Sequence, residues 1–123
     1  MTERMFDPYA PTLDTAVLQE FVEAGGPCAL EVIREIVVMF LEETPPLLAD
    51  LGTAIHHANH AQVVSIAHEL RESCHELGAY AMAGRCAILE ECLPREAAVL
   101  SQSVNAEYRR AMDALRIFLT SIV

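Results

Sequence analysis

Ala67-His68-Glu69-Leu70-Arg71-Glu72-Ser73-Cys74-His75-Glu76-Leu77-Gly78-Ala79 is the stretch from which the fold of this 123-residue chain is read. Ala67, Leu70, Cys74 and Leu77 recur at i, i+3 and i+4 intervals, the spacing that lays one apolar stripe along a helix. Gly78 stands just past the last apolar position, where a helix ends on a residue able to turn left-handed. His68 falls off the stripe, toward solvent. Arg71 follows it by three residues and Glu72 by four, and His75 lies two turns along the same flank.

Outward from this helix the same periodicity continues in both directions. Asn59 predicts its N-cap, with Gln62 three residues on and Val63 and Ile66 joining the buried side. Before it, Cys28 to Ala58 reads as one long helix with Leu30, Ile33, Ile36, Val37, Phe40, Leu41, Leu47, Leu48, Leu51 and Ile55 inward. Pro45 and Pro46 remove two backbone donors there, and Thr44 is positioned to cap a fresh helix. The apolar phase nevertheless passes from Phe40 to Leu47 unbroken, which predicts one kinked helix rather than two. A short first helix is expected between an Asp14 N-cap, flanked by Leu13 and Leu18, and the pair Gly25-Gly26. Residues 1–12, with Pro8 and Pro11, read as a loosely ordered lead-in.

Beyond Gly78, a helix from Tyr80 to Cys92 places Met82, Cys86, Leu89 and Leu93 in a buried row. Gly84 within it predicts close approach of a neighbouring backbone. Pro94 then breaks the chain. The last helix runs from Glu96 to Ile122, with Leu100, Val104, Tyr108, Met112, Leu115, Leu119 and Ile122 on one side. No strand alternation or repeat occurs. The expected architecture over residues 13–123 is all-α, an antiparallel four-helix bundle with a short additional N-terminal helix.

Composition narrows the function. The chain is 53% hydrophobic but only 6% aromatic and lacks Trp, which suits an aliphatic bundle. Its formal charge of −10 disfavours nucleic acid and anionic membrane surfaces as partners. The eight basic residues are all Arg, so lysine chemistry is excluded. Neither a signal peptide nor an apolar run of membrane-spanning length is read, and a cytoplasmic protein is expected. Cys28, Cys74, Cys86 and Cys92 form no C-x-x-C pair and read as reduced, buried small hydrophobes.

The central stretch resembles the active helix of histidine-phosphotransfer (HPt) domains, which carry Ala-His-x-Leu-Lys-Gly-Ser-x-x-x-Leu-Gly-Ala or a close variant. Ala67, His68, Leu70, Ser73, Leu77, Gly78 and Ala79 match it. Arg71 replaces the lysine and Glu72 stands at the glycine. The resemblance implies that His68 is the phosphoacceptor of a multistep phosphorelay and that Arg71 stabilises the phosphoryl group. It implies docking through Val64, Glu72 and His75, and structural roles for Ser73 and Gly78. The implied partners are a response-regulator receiver domain and a hybrid histidine kinase. Magnesium would come from the receiver, with no cofactor of the chain's own and no independent turnover, and the chain would be a monomer. A module of this fold that docks a receiver without accepting phosphate is the alternative.

The residue chemistry agrees with that implication at His68. Neutral imidazole is a good nucleophile near neutral pH, and an arginine at i+3 can hold phosphoryl oxygens. Glu72 adds a negative charge near the ring, repelling a phosphoryl dianion by about 1–3 kcal/mol. It can also hydrogen-bond the ring and fix its tautomer, or pair with Arg71, and both options stay open. His75 lacks a basic residue at i+3. His56, His57 and His60 form an HHxxH cluster, but a helix end at Asn59 separates them and no third ligand is evident, so no metal site is expected. Glu42, Glu43, Glu90 and Glu91 read as solvated acidic pairs.

Overall fold

Capping side chains and left-handed turns divide the chain where its punctuation predicts. The computed structural model describes residues 10–121. Helix α1 spans Thr15–Gly25, α2 Ala29–His56, α3 His60–Leu77, α4 Tyr80–Glu90 and α5 Ala97–Ser121, with short 3₁₀ turns at Gly26–Cys28 and Pro94–Glu96. The Asp14 carboxylate accepts from the Ala16 amide at the start of α1, and the Asn59 side chain accepts from the Gln62 amide at the start of α3. Of the expected lead-in, residues 1–9 lie outside the described residues, and Pro11 accepts a hydrogen bond from the Ala81 amide. Ile122, expected on the buried side of the last helix, also lies outside them.

Helices α2 to α5 form the bundle: α3 packs on α2 and α4, and α5 closes the ring against α4 and α2, while α1 lies on α2. The common core takes Ile33, Val37 and Leu51 from α2, Val63, Leu70 and Leu77 from α3, Met82 and Leu89 from α4, and Val104 and Leu115 from α5. Each is withdrawn from water almost completely. Full burial of such a side chain stabilises the fold by about 1.5–3 kcal/mol.

Helix α2 runs through Pro45 and Pro46 as one element. Pro45 cannot donate to the Leu41 carbonyl, its normal helical partner. That carbonyl instead lies 3.5 Å from the Tyr108 hydroxyl, which donates to it from α5. The Tyr108 ring packs on Phe40 with centroids 5.9 Å apart. Thr44 caps no new helix; it is buried within α2.

Several boundaries and burials differ from expectation. Helix α4 ends at Glu90 rather than Cys92, so Leu93 leaves the buried row and is exposed. The chain turns there because Pro94 opens the next 3₁₀ turn, with the Glu96 carboxylate accepting from the Leu93 amide. Cys28 is exposed because it lies in the 3₁₀ turn before α2. Cys74 and Cys86 are buried as expected, and a hydrogen bond to Cys74 together with burial pushes the Cys86 thiol well above its ordinary range.

Gly78 does two things at the α3–α4 corner. Its φ of +80° closes α3 in the left-handed conformation, with the Ala79 amide donating back to the Cys74 carbonyl. Its carbonyl also accepts from the Asp14 amide at 2.8 Å, and a Cβ at Gly78 would sit 2.8 Å from the Asp14 oxygen. The corner that follows the histidine helix is thereby fastened to the start of α1.

Candidate functional site

His68 sits mid-way along α3, on the side facing α4, with about half of its side chain exposed (49%). Ala67 and Leu70 beside it are buried, so the apolar stripe anchors the helix and leaves the imidazole at the surface. Arg71 lies one turn on and reaches toward α4, where it meets Glu90. Its Nε donates to Glu90 Oε2 and its Nη2 to Glu90 Oε1 at 3.3 Å, a forked guanidinium–carboxylate pair. Glu90 Oε1 is also 3.0 Å from His68 Nδ1. Arg71 Nη2 lies 3.0 Å from the same nitrogen. His68, Arg71 and Glu90 thus close a triangle across the α3–α4 seam.

Glu90 is a site residue that the sequence does not single out, since beside Glu91 it reads as half of a solvated acidic pair. Its side chain is only 16% exposed. The available signal was on α4 itself: Ala83, Ala87 and Glu90 fall at i, i+4 and i+7. Two small buried residues let α4 approach α3, and the same stripe ends on a carboxylate. Partial burial alone would raise the Glu90 carboxyl. Hydrogen bonds from Arg71 and then His68, with the charge of both, outweigh that and hold it below the usual carboxylate value. The same hydrogen bond to Glu90 raises Arg71 above its already high value.

Glu72, one turn after His68, places Oε2 3.5 Å from Nε2, with its side chain 67% exposed. Of the two roles open from sequence, Glu72 approaches the ring, while Arg71 is engaged by Glu90. The two carboxylates therefore face opposite ring nitrogens and favour opposite tautomers. Glu90, ionised and able only to accept, favours a proton on Nδ1. Arg71 Nη2, which can only donate, lies 3.0 Å from the same Nδ1 and favours a lone pair there, as Glu72 favours a proton on Nε2. Of the two tautomers, the one favoured by Glu90, with the proton on Nδ1, frees the lone pair of Nε2 on the exposed edge of the ring. That is the arrangement of a surface nucleophile.

The remaining candidates distribute around this centre. Val64 is half-buried one turn before His68, and His75 is exposed with its ring 5.6 Å from that of Tyr80. His75, Tyr80, Arg71 and Gly84 share a cavity of about 220 Å³ with Pro11 and Ala83. Ser73 lies on another side, in a small cleft with Phe40 and Leu77. The HHxxH residues are divided by the α2–α3 turn: His56 ends α2, His57 follows it, and His60 begins α3 with Nε2 3.1 Å from the Cys92 carbonyl. Among the described residues no group of three or more His, Cys, Asp or Glu side chains is arranged to hold a metal.

This geometry, an exposed histidine on the second helix of a four-helix ring with a basic residue at i+3, agrees with the family comparison. The model of the Hpt domain matches residues 35–118, about two thirds of the chain. The chain belongs to the Hpt domain family. No curated protein and no solved structure matches it. Hpt domains act in phosphorelays as phosphotransfer carriers rather than as classical enzymes, and they interact with receiver domains and kinases. The matched span includes His68, Arg71, Glu72 and Glu90, and leaves α1 outside. Among the described residues of this Hpt protein, no helix is long and apolar enough to cross a membrane.

Proposed function

We propose that His68 accepts a phosphoryl group on Nε2 from the aspartate of a receiver domain and passes it to another. The observation that supports this most directly is the half-exposed His68 ring with the Glu90 carboxylate 3.0 Å from Nδ1, placed to hold the Nδ1 proton once Nε2 has reacted. Arg71, held in place by Glu90, stands beside the ring as the cation for phosphoryl oxygens. Val64, Glu72 and His75 flank the histidine on α3 and form the docking surface for a receiver domain or a hybrid histidine kinase. The receiver supplies magnesium, the upstream kinase uses ATP, and the chain needs no cofactor of its own. It works as a relay without independent turnover, as a cytoplasmic monomer.

The test uses receiver domains phosphorylated on aspartate, incubated with the chain and scored for acid-labile label. The expected result is label on the parent and none on His68→Gln. Label that persists in His68→Gln transfers the role to His75 or ends the assignment. A second reading, a module that docks a receiver without accepting phosphate, is favoured by one feature: Glu72 lies over Nε2 while Glu90 occupies Arg71. It requires that the parent take no label and that Glu72→Gly acquire it.

A further inference from the structure

The charges around His68 are unbalanced for holding a phosphoryl dianion. Two carboxylates and one guanidinium contact the ring: Glu90 at Nδ1, Glu72 at Nε2 and Arg71 at Nδ1. Arg71 already directs Nε and Nη2 to Glu90, so its charge is matched before any phosphoryl group arrives. Glu72 adds a further negative charge 3.5 Å from the atom that would form the N–P bond. The related pattern has glycine at this position, so the charge is a property of this chain.

We infer that Glu72 biases the direction of phosphoryl flow, by lowering the stability of the phosphohistidine of His68 relative to the aspartyl phosphate of the receiver. This rests on the phosphotransfer reading above. In the loading step the Nε2 lone pair forms the N–P bond as the P–O bond to the receiver's aspartate breaks, and that electron pair returns to the carboxylate. The ring becomes cationic, with its Nδ1–H held by Glu90, and carries a phosphoryl dianion on Nε2. Glu72, exposed and flexible, swings aside to admit the group but stays on the same helical turn. Its charge repels the dianion in the loaded state and has no such effect when the group sits on the receiver. A monoanion and a dianion about 6 Å apart in a water-like dielectric shift that equilibrium by about tenfold. The chain is therefore a donor-biased carrier: it loads when upstream phosphate is abundant and empties readily into the next receiver.

The experiment reads the equilibrium rather than the rate. His68 is loaded with phosphoramidate, excess donor is removed, unphosphorylated receiver and magnesium are added, and the phosphoryl partition is measured by ³¹P NMR. The parent, Glu72→Gln and Glu72→Gly are compared at low salt and at 0.5 M salt. Gln keeps the length and helix propensity of Glu and removes only its charge. Both variants are expected to raise the ratio of phosphoryl on His68 to phosphoryl on the receiver about tenfold at low salt, with the gap narrowing at high salt as screening takes over. Equal partition in the parent and Glu72→Gln, with label still on His68, overturns the inference and leaves phosphotransfer standing. A rise in Glu72→Gly alone also overturns it, because bulk rather than charge would be responsible. A parent that takes no label from either source overturns the inference and the phosphotransfer reading together.

Discussion

At the scale of single residues, the balance at Glu90 decides how the imidazole is presented. Its carboxylate is pulled two ways, by partial burial that favours the neutral form and by Arg71 and His68 that favour the charged one, and the partners win. A folded-state value below the ordinary 4.5 means that the contribution is complete above that pH and disappears as pH falls through the depressed value. Glu90→Gln should therefore be less stable than the parent at pH 7, and urea titrations should show the gap closing as the pH is taken below that depressed value. The same variant should loosen the histidine. Hydrogen bonds to a charged group are worth about 1.5–3 kcal/mol, so Glu90→Ala should slow phosphoryl uptake by about tenfold or more. Imidazole ¹⁵N shifts provide the second readout: the Nδ1–H tautomer should lose ground in Glu90→Ala relative to the parent. Unchanged shifts would remove Glu90 from the site.

At the scale of elements, two left-handed corners hold the histidine helix at its ends, and they are built from different residues. After α3, Gly78 adopts φ +80° where glycine has no steric penalty. Before α3, Ala58 adopts φ +55° with a Cβ that resists it. The two therefore predict opposite signs. Ala58→Gly should stabilise the chain by about 0.5–1 kcal/mol, and Gly78→Ala should cost about 1–2 kcal/mol from backbone strain, raised further by collision with the Asp14 carbonyl. Thermal melts of the two variants check both. The Gly78 cap was legible in sequence because glycine after an apolar stripe has few other readings. The Ala58 corner was not, since alanine is the best helix former and its conformation is imposed by the turn around it. Helix α2 lies between these cases. Its apolar phase correctly carried the element across Pro45 and Pro46, but the Tyr108 hydroxyl that takes up the freed Leu41 carbonyl lies 67 residues away.

At the scale of the whole molecule, the same distinction separates what periodicity reveals from what it hides. The four long helices and most of their buried rows follow from spacing within each segment, because one helix face must be apolar to be buried. The site depends on which faces meet. Nothing within α3 indicates that Arg71 will be engaged by Glu90, and nothing within α4 separates Glu90 from its neighbour Glu91 except the small residues that bring α4 close. Leu93 erred for the related reason that a turn, not a helix, carried it. Since His68 and Arg71 stand on α3 and Glu90 on α4, their geometry exists only while the bundle holds those helices together. Helix α5 contributes no residue to the site, yet it packs on both α4 and α2. Leu115, fully buried on α5, is thus a distant support for the phosphoacceptor. Leu115→Ala should cost about 2–5 kcal/mol by leaving a cavity. Because all four helices share one core, the loss should appear as a single transition at lower denaturant. Helical circular dichroism and the His68 ¹⁵N signal should then report the same midpoint, shifted together. Circular dichroism that falls first, with the His68–Glu90 signature surviving beyond it, would show that α3 and α4 hold the site without the rest of the bundle.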